Sequence, residues 1–300
     1  MCSENMGLLD PKSDYIFKLI FGAEKNKPLL ISLLNAILKG NPEITDLQLQ
    51  NTEIVKQFEN GRAARLDIKA QIRPQEYVDI DMQVQNEGHV IDRAIQYTQC
   101  MSSENFYLLS EEEKKKGLRQ NYSYPKVIGI WITGENIFND CDEPVTELGW
   151  VRDNHPGFVT DKTRLFTIEL PKFNLKTMDK NNPLHRWMAF LIQPRIDAEC
   201  SDKNILRAFE ELAVISATKE VRETYKSLLD AQINQAVVQS EAERKGMEKG
   251  LEKGRAEGRE EGERIGIEKM VKSLLKAHVD INVISDTSGL TISEVEELND

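Results

Sequence analysis

Two adjoining stretches, RLDIKAQI (65–72) and VDIDMQV (78–84), decide the fold. In the first, Leu66, Ile68, Ala70 and Ile72 alternate with Arg65, Asp67, Lys69 and Gln71. In the second, Val78, Ile80, Met82 and Val84 alternate with Asp79, Asp81 and Gln83. A period of two marks strands with one face in a core. Pro74, Gln75 and Glu76 fit a turn, so the pair reads as an antiparallel hairpin.

Upstream, Ile16 to Phe21 and Leu29 to Leu38 carry helical apolar spacing across Asp14–Gly40, with Gly22 as the break between two helices. A short strand is expected within Leu47–Val55. Downstream, a helix is expected from about Ile91 to Leu109, a buried strand at PKVIGIWIT (125–133) and another at TRLFTIEL (163–170). This order predicts an α/β fold, a mixed sheet flanked by helices. Residues from Pro183 to about Ser240 read as helical.

The hairpin also carries the chemistry. Asp81 and Gln83, two apart on one strand, leave the same face, and Asp67 lies on the polar face of the neighbouring strand. Carboxylates gathered on adjacent strands repel, and a divalent cation relieves that repulsion; hard oxygen ligands suit magnesium or manganese. A metal held this way activates water and stabilises charge on a phosphate under attack. Against this stands the plainer reading that any half-exposed strand alternates polar with apolar residues. Lys69, two residues from Asp67, could supply a cation.

The same stretches, in order, resemble the recombination-promoting nuclease and transposase family of the PD-(D/E)xK superfamily. The resemblance runs from DPKSDYIFKLIFG (10–22) and the helix at 29–38 through LDIKAQ, VDIDMQVQ and DRAIQYTQ (92–99) to VIGIWIT, about the first half of the chain. It implies a restriction-endonuclease-like fold and a Mg2+- or Mn2+-dependent DNA endonuclease. Asp67 matches the first metal-binding aspartate and Asp81 the second acid. Gln83 stands where the superfamily lysine usually is. Asp14 matches a recurring acidic position, and Arg93 and Tyr97 match positions that touch phosphate or the scissile region. Two departures matter: the second acid is commonly Glu in this family, and Gln83, though common there, carries no charge. Plainer readings make Asp14 or Ser13 a helix cap, Arg93 a surface charge, Tyr97 a core residue, and Lys12 and Lys18 solvated flanks of the first helix. The rival class is a nuclease-fold scaffold that has lost cleavage and works by binding protein or DNA.

With 300 residues and a net charge of −11, the chain does not suit a sequence-independent DNA coat, which binds through Lys and Arg. Cys2, Cys100, Cys141 and Cys200 are scattered, as are the four histidines, which speaks for free thiols in a reducing cytoplasm and against zinc. No apolar run of about 18 residues suggests a membrane span, and the first residues lack a secretory pattern.

The last third changes character. Glycines recur every four residues at 246, 250, 254, 258, 262 and 266 among Glu, Lys and Arg. Such a stripe drifts roughly 40° per repeat on a helix, and each glycine costs about 0.5–1 kcal/mol relative to alanine. Two readings follow, a close helix–helix contact or a solvated linker. In ISDTSGLTISEVEEL (284–298), Thr291 and Glu294 form a capping box. Ser285, Gly289 and Val295 resemble helix-turn-helix spacing, but Glu294, Glu296 and Glu297 oppose phosphate, so a protein-interaction module is favoured. The expected division is a nuclease-like domain at 1–175, a helical extension at 176–240, the glycine repeat at 241–267 and a small helical module at 268–300. DNA, and a second copy or protein partner bound through the tail, are the expected partners.

Overall fold

The computed structural model describes residues 7–51, 67–83, 89–117, 124–153, 155–195 and 200–298, leaving aside the side chains of 155, 156, 158 and 239. Arg65, Leu66, Val84 and residues 52–55 of the expected early strand lie outside it. The elements are α1 (Asp14–Phe21), α2 (Lys27–Ile37), β1 (Gln48–Gln50), β2 (Ile68–Arg73), β3 (Glu76–Gln83), α3 (Val90–Lys115), β4 (Lys126–Thr133), β5 (Val145–Leu148), β6 (Val151–Arg152), β7 (His155–Phe158), β8 (Thr163–Glu169), α4 (Pro183–Ile192), α5 (Lys203–Ala217), α6 (Lys219–Lys276), α7 (Ile281–Ser288) and α8 (Ile292–Glu297). They fall into two compact units, Met1–Lys226 and Ser227–Asp300.

The first unit is built on a six-stranded mixed sheet in the order β1-β2-β3-β4-β8-β5. The hairpin forms as expected: β2 and β3 are antiparallel, with Ile68 opposite Ile80 and Lys69 opposite Asp79. Pro74 and Gln75 close it, Gln75 taking a positive φ of 62°. β3, β4 and β8 are mutually parallel. Parallel neighbours need a crossover, and α3 supplies the one between β3 and β4. Strands in such a centre are covered on both faces, which is why VIGIWIT reads as an unbroken apolar run.

The two faces carry different residues. Ile68, Ala70, Val78, Ile80, Met82 and Ile130 face a large core completed by α1, α2, α4 and α5. The other face lies under α3, where Ala94 packs with Trp131 and Leu165, and Met101 with Tyr77 and Val127. Gly129 permits this close approach. A Cβ there would fall 2.6 Å from Thr98 Oγ1 and 3.0 Å from Leu165 Cδ1.

Gly22 ends α1, as its spacing suggested. Strands β5, β6 and β7 have no counterpart in the pattern analysis: they are short, and β5 and β6 are mostly half-exposed or exposed.

In the second unit α6 runs unbroken through all six glycines of the repeat, and a Cβ added at any of them would meet nothing within 4 Å. A helix with these glycines is weak alone, but this one is anchored at both ends. Its start belongs to the first unit, where Val221 and Tyr225 pack on that unit's core, and in the second unit Val271 joins Ile284 and Val295 in a small core of its own. Charge pairs one turn apart, Arg244–Glu248, Lys253–Glu257 and Arg259–Glu263, line the stretch between. Gly289 ends α7 in the left-handed conformation with φ 74°, and the Thr291–Glu294 capping box opens α8. Among the described residues no helix is long and apolar enough to cross a membrane.

Candidate active site

The polar residues of the hairpin collect on the α3 side of the sheet, at the carboxyl end of β3. Continuing the β2–β3 register by one step sets Asp67 opposite Asp81. Asp67 Oδ2 accepts a hydrogen bond from the Met82 amide at 2.9 Å, which fixes its carboxylate at the strand end. Its Oδ1 lies 2.8 Å from Lys18 Nζ, and the same ammonium lies 2.8 Å from Asp14 Oδ1. Asp14 and Lys18 are one turn apart on α1, each three residues before a buried phenylalanine, Phe17 and Phe21, so packing of the apolar face beside them brings the pair to the site.

Ser13 occupies the N-cap position of α1 without a side-chain cap bond, and the Asp14 carboxylate is engaged by Lys18. Side-chain capping by Ser13 is therefore not what is found.

On the far side, Arg93 Nη1 donates to Gln83 Oε1 at 3.3 Å. The guanidinium lies 5.8 Å from the Tyr97 ring centroid and 5.7 Å from that of Trp131, a stacking that holds a cation at a fixed place. Tyr97 packs against Trp131 at 5.7 Å as a half-buried part of the α3–sheet contact. The fold thus gathers Asp14, Asp67, Asp81, Gln83 and Arg93, with Tyr97 beneath the guanidinium.

Lys69 is buried, and its Nζ is bound 2.6 Å from Glu104 Oε2 of α3. The charge that could have served Asp67 is thus spent on holding α3 to the sheet.

Asp79 is the residue that pattern reading passed over. It stands two positions before Asp81 on the same face and is 1% exposed. Neither of its oxygens, nor Asp81 Oδ2, has a hydrogen-bond donor while the acids are ionised. A proton shared between Asp79 and Asp81 satisfies both. Complete burial, next to the negative charge of Asp81, pushes Asp79 well above the usual carboxylate range.

The other two acids are raised as well. Burial, then the charges of Asp81 and Asp14, push Asp67 up to about 8 against the pull of Lys18. Burial pushes Asp81 up to about 6, opposed by the hydrogen bond from Asp79 and by Arg93 and Lys18. Partial burial pulls the Lys18 ammonium down, but its hydrogen bonds to Asp14 and Asp67 outweigh this and raise it.

Such a site suits a divalent cation: Asp67 and Asp81 are held together at an energetic cost, and in the ionised state Asp81 Oδ2 has no donor. Among the described residues no group of three or more acidic, histidine or cysteine side chains is poised to hold a metal. Two carboxylates, with water and substrate phosphate completing the shell, are the usual surroundings of magnesium.

A family model described as PD-(D/E)XK nuclease family transposase matches residues 11–242. The match reaches well past the first half of the chain, taking in α4, α5 and the start of α6. No curated protein and no solved structure matches the chain. That match covers more than half of the chain, and the chain belongs to the PD-(D/E)XK nuclease family transposases.

Proposed function

We propose that the first unit is a divalent-metal-dependent DNA endonuclease using Mg2+ or Mn2+. The observation that carries this reading is the pair Asp67 and Asp81, opposed on adjacent strands and raised by burial and neighbouring negative charge. Asp67 and Asp81 would hold the cation, which when bound supplies a polarised water and a counter-charge for phosphate. Gln83 orients the water through its amide. Arg93, fixed over Tyr97 and Trp131, steadies a phosphate oxygen. In the hydrolysis the water oxygen bonds to phosphorus and one P–O ester bond breaks. One proton of the water ends on the departing hydroxyl and the other in solvent.

Plasmid cleavage by the full chain with and without magnesium, beside Asp67→Ala and Asp81→Ala, tests this. Cleavage is expected only with magnesium and only in the parent; Gln83→Ala, which removes an orienting amide and no proton-transfer group, should slow it about tenfold, less than the roughly 10²–10⁴-fold lost with a general acid or base. Equal cutting by both aspartate variants overturns the reading.

A scaffold that binds DNA or protein without cutting is the second reading. It is favoured by Asp81, one methylene shorter than glutamate and 5% exposed, and by the uncharged Gln83. Metal-dependent melting without cleavage would select it. A further part of the proposal is self-association or protein binding through α6, where Leu229, Ile233 and Val237 stand four apart and half exposed. Cytoplasmic residence completes it, supported by the free thiols Cys100, Cys141 and Cys200.

A further inference from the structure

Lys18 is the residue at this site whose position no local pattern announces. Its ammonium sits between Asp14 Oδ1 and Asp67 Oδ1, 2.8 Å from each. The second oxygen of Asp67 accepts from the backbone amide of Met82, so Oδ1 is the oxygen whose other contact, a flexible side chain, can move aside for an incoming cation. One carboxylate oxygen does not hold an ammonium and a divalent ion together without strong repulsion between them. Asp14, one turn away on the same helix, is a second anchor that keeps the ammonium at the rim when Asp67 gives it up.

The charge balance points the same way. With Asp79 keeping its proton, Asp14, Asp67 and Asp81 face Lys18 and Arg93, a formal sum of −1 when these five are ionised. A divalent cation makes the sum +1, which matches a phosphodiester. Gln83, at the position of the superfamily lysine, adds nothing to that sum. Arg93 is held over two aromatic rings and bound to Gln83, and Lys69 is bound to Glu104. Lys18 differs from Lys69 in exposure, its side chain being 32% exposed against 5%, and from the stacked Arg93 in its flexible four-carbon stem.

Resting on the nuclease reading above, we propose that Lys18 is a further catalytic residue, donating from α1 to a nonbridging oxygen of the scissile phosphate and supplying the positive charge that Gln83 lacks. Asp14 is then a positioning residue that acts through Lys18 and not a ligand of the metal. As the bond from water to phosphorus forms and the ester bond breaks, negative charge grows on the nonbridging oxygens. The ammonium stabilises that charge and stays protonated throughout.

The test uses the full chain and two measurements: Mn2+ binding by titration calorimetry and plasmid cleavage in magnesium. Lys18→Met should bind Mn2+ at least as tightly as the parent, because a competing cation has left Asp67. It should cut about 10²–10³-fold more slowly, the usual loss for one electrostatic stabiliser of a transition state. Lys18→Arg should recover at least tenfold of that loss. If Lys18→Met fails to fold, as its melting curve would show, Lys18→Gln takes its place in the same comparison. Cleavage by the neutral variant within about threefold of the parent overturns the proposal. So does loss of Mn2+ binding in step with loss of cleavage, since Lys18 would then only support Asp67. A parent that cuts no better than Asp67→Asn overturns the nuclease reading and this inference together, whereas a parent that cuts and a neutral variant that equals it overturns Lys18 alone.

Discussion

Asp67 and Asp81 make the first unit sensitive to pH in a direction opposite to that of an ordinary salt-bridged acid. Their folded-state values, about 8 and about 6, lie above the unfolded value near 4. A raised acid binds its proton more tightly when folded. Its contribution to stability is therefore complete below about pH 4 and lost as pH rises through the folded values. Without divalent metal, the melting temperature of the first unit should fall between pH 5.5 and pH 8.5 by about 5 °C, at about 2–4 °C per kcal/mol for a unit of this size. Asp67→Asn should flatten that fall, and a parent and variant with equal slopes would show that the acid is not strained. The same protons must leave for a cation to bind, so the rise in melting temperature caused by Mn2+ should grow over that pH interval. Little of this was readable in the chain. Asp67, Asp81 and Gln83 stand out from their alternation. Asp79 alternates identically, and only the covering of its face by α3 distinguishes a fully buried acid from a solvated one. Lys18 is four residues from Asp14, which reads as a surface pair on a helix; its nearness to Asp67 comes from packing across the unit.

At the scale of elements, α3 is held on the sheet by a tight contact and two polar ties. Gly129→Ala would drive a Cβ against Thr98 and Leu165. Overpacking of this kind costs about 1–3 kcal/mol, and it would shift the helix that carries Arg93. The variant should melt several degrees lower and cleave more slowly. Adding Thr98→Ala, which removes the nearest clashing atom, should restore at least half of the lost stability; simple additivity of the two losses would contradict the contact. In α6 the opposite holds. Gly250→Ala, Gly254→Ala and Gly258→Ala have open space, so each should stabilise the helix by about 0.5–1 kcal/mol, seen as higher helicity on heating. If a partner's backbone approaches these glycines, the three substitutions combined in one chain will instead lose self-association in light scattering. Element types were well marked in the chain where the apolar period was long, as in β2, β3, β4 and α1. They were not marked in β5 and β6, strands of four and two residues, which are too short to show a period.

At the scale of the whole chain, the two compact units meet in sequence at Lys226 and Ser227. Every strand of the sheet and all residues of the candidate site lie in the first. A protein ending at Lys226 retains the α6 residues that tie into the first unit: Val221, Tyr225, and Arg222, whose Nη2 donates to Gly7 O at 2.9 Å. It should keep the melting transition and the Mn2+ response of the full chain. Its mass per particle in light scattering, scaled for the deletion, should fall if the tail assembles copies. Unfolding on truncation would show that the first unit needs the second.

The first unit is also closed by its own ends. The Leu9 amide donates to Ser216 Oγ at 2.9 Å across 207 residues, and Lys25 pairs with Glu211 at 2.6 Å across 186. The helix bearing Asp14 and Lys18 packs into the same core as α5, which is synthesised nearly two hundred residues later. Ribosomes add about 5–20 residues per second, so for many seconds a growing chain holds α1 and the hairpin without the α5 helix that completes their shared core. The core that seats Asp14 and Lys18 is complete only when residue 217 has cleared the exit tunnel.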